Sequence, residues 1–138
     1  MVYKDLDLPL VEKMASELAA TLKSKKVVIG LIGPLGAGKT TFVKAFAKQF
    51  KINTIKSPTF VITHQYPIKN RFLYHVDLYR LHNTKQLTDL GLDEILQANN
   101  LVLIEWADRF HEIQKRCDIL ISFKVKKNNK RDITIQTI

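Results

Sequence analysis

The chain is poor in cysteine, glycine and acidic residues, and it lacks any long apolar run. Its 138 residues include one cysteine, Cys117, which rules out an internal disulfide and makes a reducing cytosol the expected compartment. No apolar stretch approaches the ~20 residues that span a bilayer, so no membrane partner is expected. Asp5 and Asp7 sit where a signal peptide needs an uninterrupted apolar segment, so no leader is expected either. The histidines, His64, His75, His82 and His111, together with Cys117, lack metal-ligand spacing and read as structural or exposed. Repeats, low-complexity segments and flexible linkers are absent. At this length one domain over residues 1–138 is expected.

The shortage of acid leaves 22 Lys and Arg against 13 Asp and Glu, a formal charge of +9. That balance favours a polyanionic partner. The lysines are spread along the chain, with one cluster at Lys124, Lys126, Lys127, Lys130 and Arg131. No nucleic-acid-binding motif accompanies them, and DNA is not expected as a partner. A solvated basic surface is as good a reading of the charge as an RNA-binding face.

Of the five glycines, three fall together in Gly33-Pro34-Leu35-Gly36-Ala37-Gly38-Lys39-Thr40-Thr41. The apolar run 27–32 precedes this stretch, and a helical pattern with Phe42, Val43, Phe46 and Phe50 on one side follows it. Strand, glycine loop, helix is the context in which a Walker A match is credible. Backbone without Cβ atoms can wrap an anion with its N–H groups turned inward. The helix start adds free N–H groups and the positive end of its dipole. Lys39 can place an ammonium between the outer phosphates, and the Thr40 hydroxyl is a hard oxygen ligand for magnesium.

Further along, apolar spacing at Leu10, Val11, Met14, Leu18 and Leu22 predicts a helix over 9–23, started by Asp7 and Pro9. Residues 60–66 and 71–76 read as an antiparallel hairpin over a four-residue connection. Short helical patterns cover 86–90 and 93–98, and a short helix is expected at 110–115. A second buried strand covers 101–104. A closing hairpin alternates through Ile119, Ile121, Phe123 and Val125 and returns through Ile133 and Ile135. The sum is an α/β sandwich: a central mixed β-sheet, with parallel strands at its core and antiparallel hairpins, flanked by helices. Its ligand is expected at the carboxyl ends of the parallel strands.

Hydrolysis or transfer needs a second magnesium contact and a group that orients the attacking oxygen. Glu105, at the end of the buried strand, is the candidate metal acid, although an aspartate is more common there. Asp77 ends the second hairpin strand. If that strand lies beside the P-loop strand, its carboxylate points at the γ-phosphate. The alternative, a cap on the turn that follows, is an equal reading of the spacing. Ser57-Pro58-Thr59-Phe60 is either a switch-like loop or a plain proline turn. Asn129-Lys130-Arg131-Asp132 fits the guanine-recognition pattern. It lies inside a basic turn close to the end of the sequence, however, and reads as chance.

Ser57-Pro58-Thr59-Phe60, the segment 75–81 (His-Val-Asp-Leu-Tyr-Arg-Leu), Gly91-Leu92-Asp93-Glu94 and the segment 104–109 (Ile-Glu-Trp-Ala-Asp-Arg), in this order behind this P-loop, resemble the TsaE family. The resemblance runs from the P-loop strand through the closing hairpin. It implies a P-loop NTPase fold and an ATPase in tRNA threonylcarbamoyladenosine biosynthesis. ATP would lie over Gly33, Leu35, Gly36, Ala37, Gly38, Lys39, Thr40 and Thr41, with ADP as product. Thr40 and Glu105 would hold magnesium. Asp77 would be the catalytic acid beside Lys39. Ser57 and Thr59 would form a switch-like loop, and Trp106 would stand next to the active site. The implied partners are the TsaD and TsaB proteins, with tRNA met through their complex. The family often has proline after the Glu-Trp pair; here Ala107 takes its place and leaves the backbone freer. Two rivals remain: a small P-loop kinase, for which there is no lid-sized insertion, and a nucleotide-gated binding module without turnover of its own.

Overall fold

The computed structural model describes residues 1–55 and 62–138. In chain order the elements are β1 (Val2–Leu6), α1 (Leu8–Thr21), β2 (Val27–Ile32), α2 (Lys39–Lys48), β3 (Thr63–Ile68), β4 (Arg71–Asp77), α3 (Thr84–Asp89), α4 (Leu92–Gln97), β5 (Leu101–Glu105), α5 (His111–Gln114), β6 (Ile119–Val125) and β7 (Arg131–Thr137). The strands form one sheet in the order β1-β7-β6-β2-β5-β4-β3. The inner strands β6, β2, β5 and β4 run parallel. Antiparallel partners close both edges. This is the mixed sheet expected from the sequence.

Unbroken β-branched and aliphatic runs build the centre. β2 is buried along nearly its whole length and β5 throughout, because helices cover both faces of the sheet. On one face α1 and α2 pack over Ile29, Leu31, Leu73, Leu101 and Leu103. On the other, α3, α4 and α5 cover Val28, Val76, Val102 and Ile104. The alternation along β4 and β5 therefore sends Leu73, His75 and Asp77 to the same face as Leu101, Leu103 and Glu105. No helix among the described residues is long and apolar enough to cross a membrane.

Four details depart from the sequence reading. The strand carrying Asp77 does not lie beside the P-loop strand; β5 runs between them. The N-terminal segment is a strand, β1, whose short half-exposed pattern hides its pairing with β7. The buried side of α1 is Val11, Ala15 and Ala19, while Leu10 is 45% exposed. Small alanines at that contact let α1 lie close against α2. The β3–β4 turn is tighter than expected: Pro67 pairs within β3, opposite Phe72, leaving only Lys69 and Asn70 to turn the chain. Pro67 is tolerated because β3 is an edge strand and its missing N–H breaks no inner ladder. Asp7 caps α1 as expected, accepting from Leu10 N at 3.0 Å.

Candidate active site

The glycine loop joins the C-terminal end of β2 to the N-terminus of α2. Gly38 takes φ 110°, a left-handed conformation costly for any residue with a Cβ, and no side chain caps the helix after it. The amides of the first turn of α2 are thus left for a ligand. Leu35, Gly36, Ala37, Gly38, Lys39, Thr40 and Thr41 line a cleft of about 230 Å³. The same cleft is lined by Leu8, Asp77, Tyr79, Glu105 and Trp106. Gly33, read as a nucleotide contact, stands at the foot of the loop and is not among the residues that line the cleft. A Cβ there would stand 2.9 Å from Phe123, and its carbonyl accepts a hydrogen bond from Lys39 Nζ.

Parallel register brings the two acids together. Leu31 of β2 pairs with Glu105, and Glu105 pairs with Asp77. Residues more than seventy positions from one end of this ladder to the other thereby share one level of the sheet, under the opening of α2. The Thr40 hydroxyl lies 3.1 Å and 3.2 Å from the two Glu105 carboxylate oxygens. His75 Nε2 lies 2.6 Å from Glu105 Oε2, with His75 1% and Glu105 3% exposed. Asp77 is half-buried, and its Oδ1 accepts from Tyr79 N at 2.9 Å. Asp77 thus caps the following turn and also lines the cleft.

Burial holds Asp77 above the ordinary carboxylate range, and the Glu105 charge pushes the same way. The Tyr79 N–H, His75 and Lys39 oppose them. Lys39 is held below the usual lysine range, chiefly by burial, while Glu105, Asp77 and Asp108 pull it back. Its ammonium lies 3.6 Å from the Trp106 ring centroid, a cation–π contact. Tyr79 packs against Trp106, with ring centroids 4.9 Å apart.

Trp106 adopts φ 60° and ψ 40°, a left-handed conformation rare for a bulky side chain. Its N–H donates to Leu31 O at 2.9 Å, tying it to the end of β2. A proline at the next position would disfavour a helical conformation in the residue before it. Ala107 removes that restriction and packs its methyl against Gly30, where an added Cβ would stand 2.8 Å away.

The donor set suits magnesium. Thr40 and Glu105 offer hard oxygens already within hydrogen-bond distance of each other, at a helix start that favours phosphate. Among the described residues no group of three His, Cys, Asp or Glu side chains could hold a metal alone. Magnesium commonly takes one or two protein oxygens and completes its shell with phosphates and water.

Ser57 and Thr59 lie outside the described residues. The Asn129–Asp132 stretch serves local structure. Lys130 approaches Asp7 at 3.9 Å, Asp132 accepts from Asp5 N, and Arg131 begins β7. Two residues were given no role at the site from the sequence. One is His75, read as structural or exposed because it lacks metal-ligand spacing. The other is Arg131, 4% exposed, whose Cδ lies 4.0 Å from where a Cβ on Gly38 would stand. Its Nε and Nη1 meet no partner among the described residues. Only its place in a basic cluster hinted at it.

The family described as "Threonylcarbamoyl adenosine biosynthesis protein TsaE" matches residues 8–133. The tRNA threonylcarbamoyladenosine biosynthesis protein TsaE of Aquifex aeolicus is 37% identical over 126 residues, spanning 89% of this chain and 86% of the relative. Its counterpart in Bacillus subtilis is 37% identical over 127 residues, spanning 91% and 79%. The crystal structure of Bacillus subtilis YdiB superposes with a TM-score of 0.76 at 30% identity, covering 100% of this chain and 85% of that one.

Proposed function

The chain belongs to the TsaE family of tRNA threonylcarbamoyladenosine biosynthesis, and from that premise we propose that it is a magnesium-dependent ATPase acting with the TsaD–TsaB pair. The observation that carries this reading is the register: Asp77 and Glu105 pair on adjacent parallel strands, facing the start of α2.

Each residue has a defined task. The amides from Gly36 to Thr41 and the α2 dipole receive the phosphates. Lys39 leaves the Gly33 carbonyl and the Trp106 ring to neutralise the outer phosphate oxygens. Thr40 and Glu105 would hold magnesium, which, when bound, neutralises charge on the β- and γ-phosphates. Asp77 orients a water and accepts its proton as the water oxygen bonds to the γ-phosphorus and the bond to ADP breaks. Its raised affinity for a proton suits that role. Arg131 adds a buried positive charge beside Gly38.

Lys39→Ala is expected to weaken ATP binding by ~10–100-fold, the value of one or two hydrogen bonds from a charged group. Asp77→Ala is expected to retain ATP and lose turnover. Phosphate release, measured with and without TsaD and TsaB, tests both. Normal turnover in Asp77→Ala with weakened binding would overturn its catalytic role.

A second reading, a nucleotide-gated module without turnover of its own, draws support from Lys39. Its ammonium is engaged by Gly33 and Trp106 rather than free in the cleft. Absence of phosphate release even with both partners present would favour that reading.

A further inference from the structure

Glu105 stands where an aspartate is the commoner choice, and its longer side chain has one more bond to rotate. A carboxylate that must meet a metal in one orientation needs that freedom removed. Thr40 restrains it from the helix side at 3.1–3.2 Å. From the sheet side the restraint is His75, whose Nε2 reaches Oε2 at 2.6 Å. His75 stands two pairs further back in the ladder, opposite Leu103, on the face that carries Glu105. The imidazole is 1% exposed, and its Nδ1 has no partner among the described residues. Its one directional contact is thus with Glu105. A buried polar ring satisfied on one side only is a poor device for stability, since an apolar residue of similar size would fill the space without the desolvation cost.

We propose that His75 is the positioning residue for Glu105: it clamps Oε2 so that the carboxylate offers its oxygens to the nucleotide's magnesium from one rotamer. This rests on the reading of Thr40 and Glu105 as magnesium contacts. A merely structural His75 would affect stability and leave magnesium affinity alone.

The test is calorimetric titration of MgCl2 into the full chain saturated with ADP, with the fluorescence of Trp106, the one tryptophan, as a second readout. His75→Leu is expected to weaken magnesium binding ~10–100-fold, the usual effect of losing a ligand's outer partner. Metal-free ADP affinity is expected to stay within about twofold of the parent. His75→Gln, whose amide reaches about as far as Nε2, is expected to recover most of the loss. His75→Asn is one bond too short and is expected not to. If His75→Leu fails to fold, the Gln and Asn variants carry the comparison, and equal magnesium affinities in those two would overturn the proposal.

Glu105→Gln separates the two layers. If it leaves the titration unchanged, the magnesium reading itself falls. If it weakens magnesium binding while His75→Leu does not, the site stands and the positioning role is wrong.

Discussion

Asp77 carries a cost that the fold accepts at the cleft. Burial and the Glu105 charge raise its proton affinity above that of the unfolded chain. The native state therefore binds that proton more tightly than the unfolded state. This contribution makes stability fall as pH rises from the unfolded carboxylate value through the folded one, and stay lower above it. Asp77→Asn is accordingly expected to raise the melting temperature at pH 7–8, with the gain shrinking as the pH drops into the acid range. Thermal melts across pH check this, and a gain that persists unchanged at low pH would refute it. Arg131 carries a different cost, since its Nε and Nη1 are buried and meet no partner among the described residues. It lies buried beside Gly38 at the N-terminal end of α2. Arg131→Met is expected to stabilise the nucleotide-free chain by ~1–3 kcal/mol, the desolvation cost of unpaired buried polar groups, and to weaken ADP binding. Chemical denaturation and ADP titration of the variant give the two signs.

Among the elements, β2 and the loop after it tolerate least change. Gly30 lies in the middle of β2, where an added Cβ would meet Ala107 Cβ and Cys117 Sγ at 2.8 Å and Leu120 Cδ2 at 2.9 Å. Gly30→Ala is expected to cost about 1–3 kcal/mol by overpacking, read from urea midpoints. It would also shift Ala107 and hence Trp106, so nucleotide affinity should fall with stability. Much of this architecture is legible from local pattern. The apolar runs of β2 and β5, the Asp7 start of α1, and the alternation of β6 and β7 each follow from a periodicity that burial enforces on a few neighbouring residues. β1 is not legible in this way. It is an edge strand with Asp5 at φ 58°, a register irregularity and both faces half-exposed, so no period survives in it.

For the molecule as a whole, the site depends on a sheet that joins distant segments, and nucleotide should couple to global stability. A ligand that binds only the folded chain stabilises it by ~2.7 kcal/mol at a hundred times its Kd. Magnesium and ADP together are expected to raise the melting temperature by several degrees, and a chelator to take back part of the rise. Cys117 reports on the same global unfolding. It is buried beneath β2 and α5, and burial pushes its thiol up to about 12. Its reaction with a thiol reagent at pH 8 is expected to be slow and limited by unfolding, hence further slowed by the nucleotide. Fast labelling of the folded chain would contradict this placement.

Contiguous residues determined the half of the site proposed to bind phosphate. Gly33 to Thr41 act through backbone shape and one helix start, and those are set within a dozen residues. The strand-end positions of Asp77 and Glu105 were equally visible, because a polar residue closing a buried run stands out locally. Tertiary structure alone decided that β5 runs between β2 and β4, that the two acids pair in register, that His75 grips Glu105 and that Arg131 lies under Gly38. Those facts depend on which strands become neighbours and at what offset. That choice is made by burying apolar faces against segments far away in the chain, and no short stretch of sequence records it.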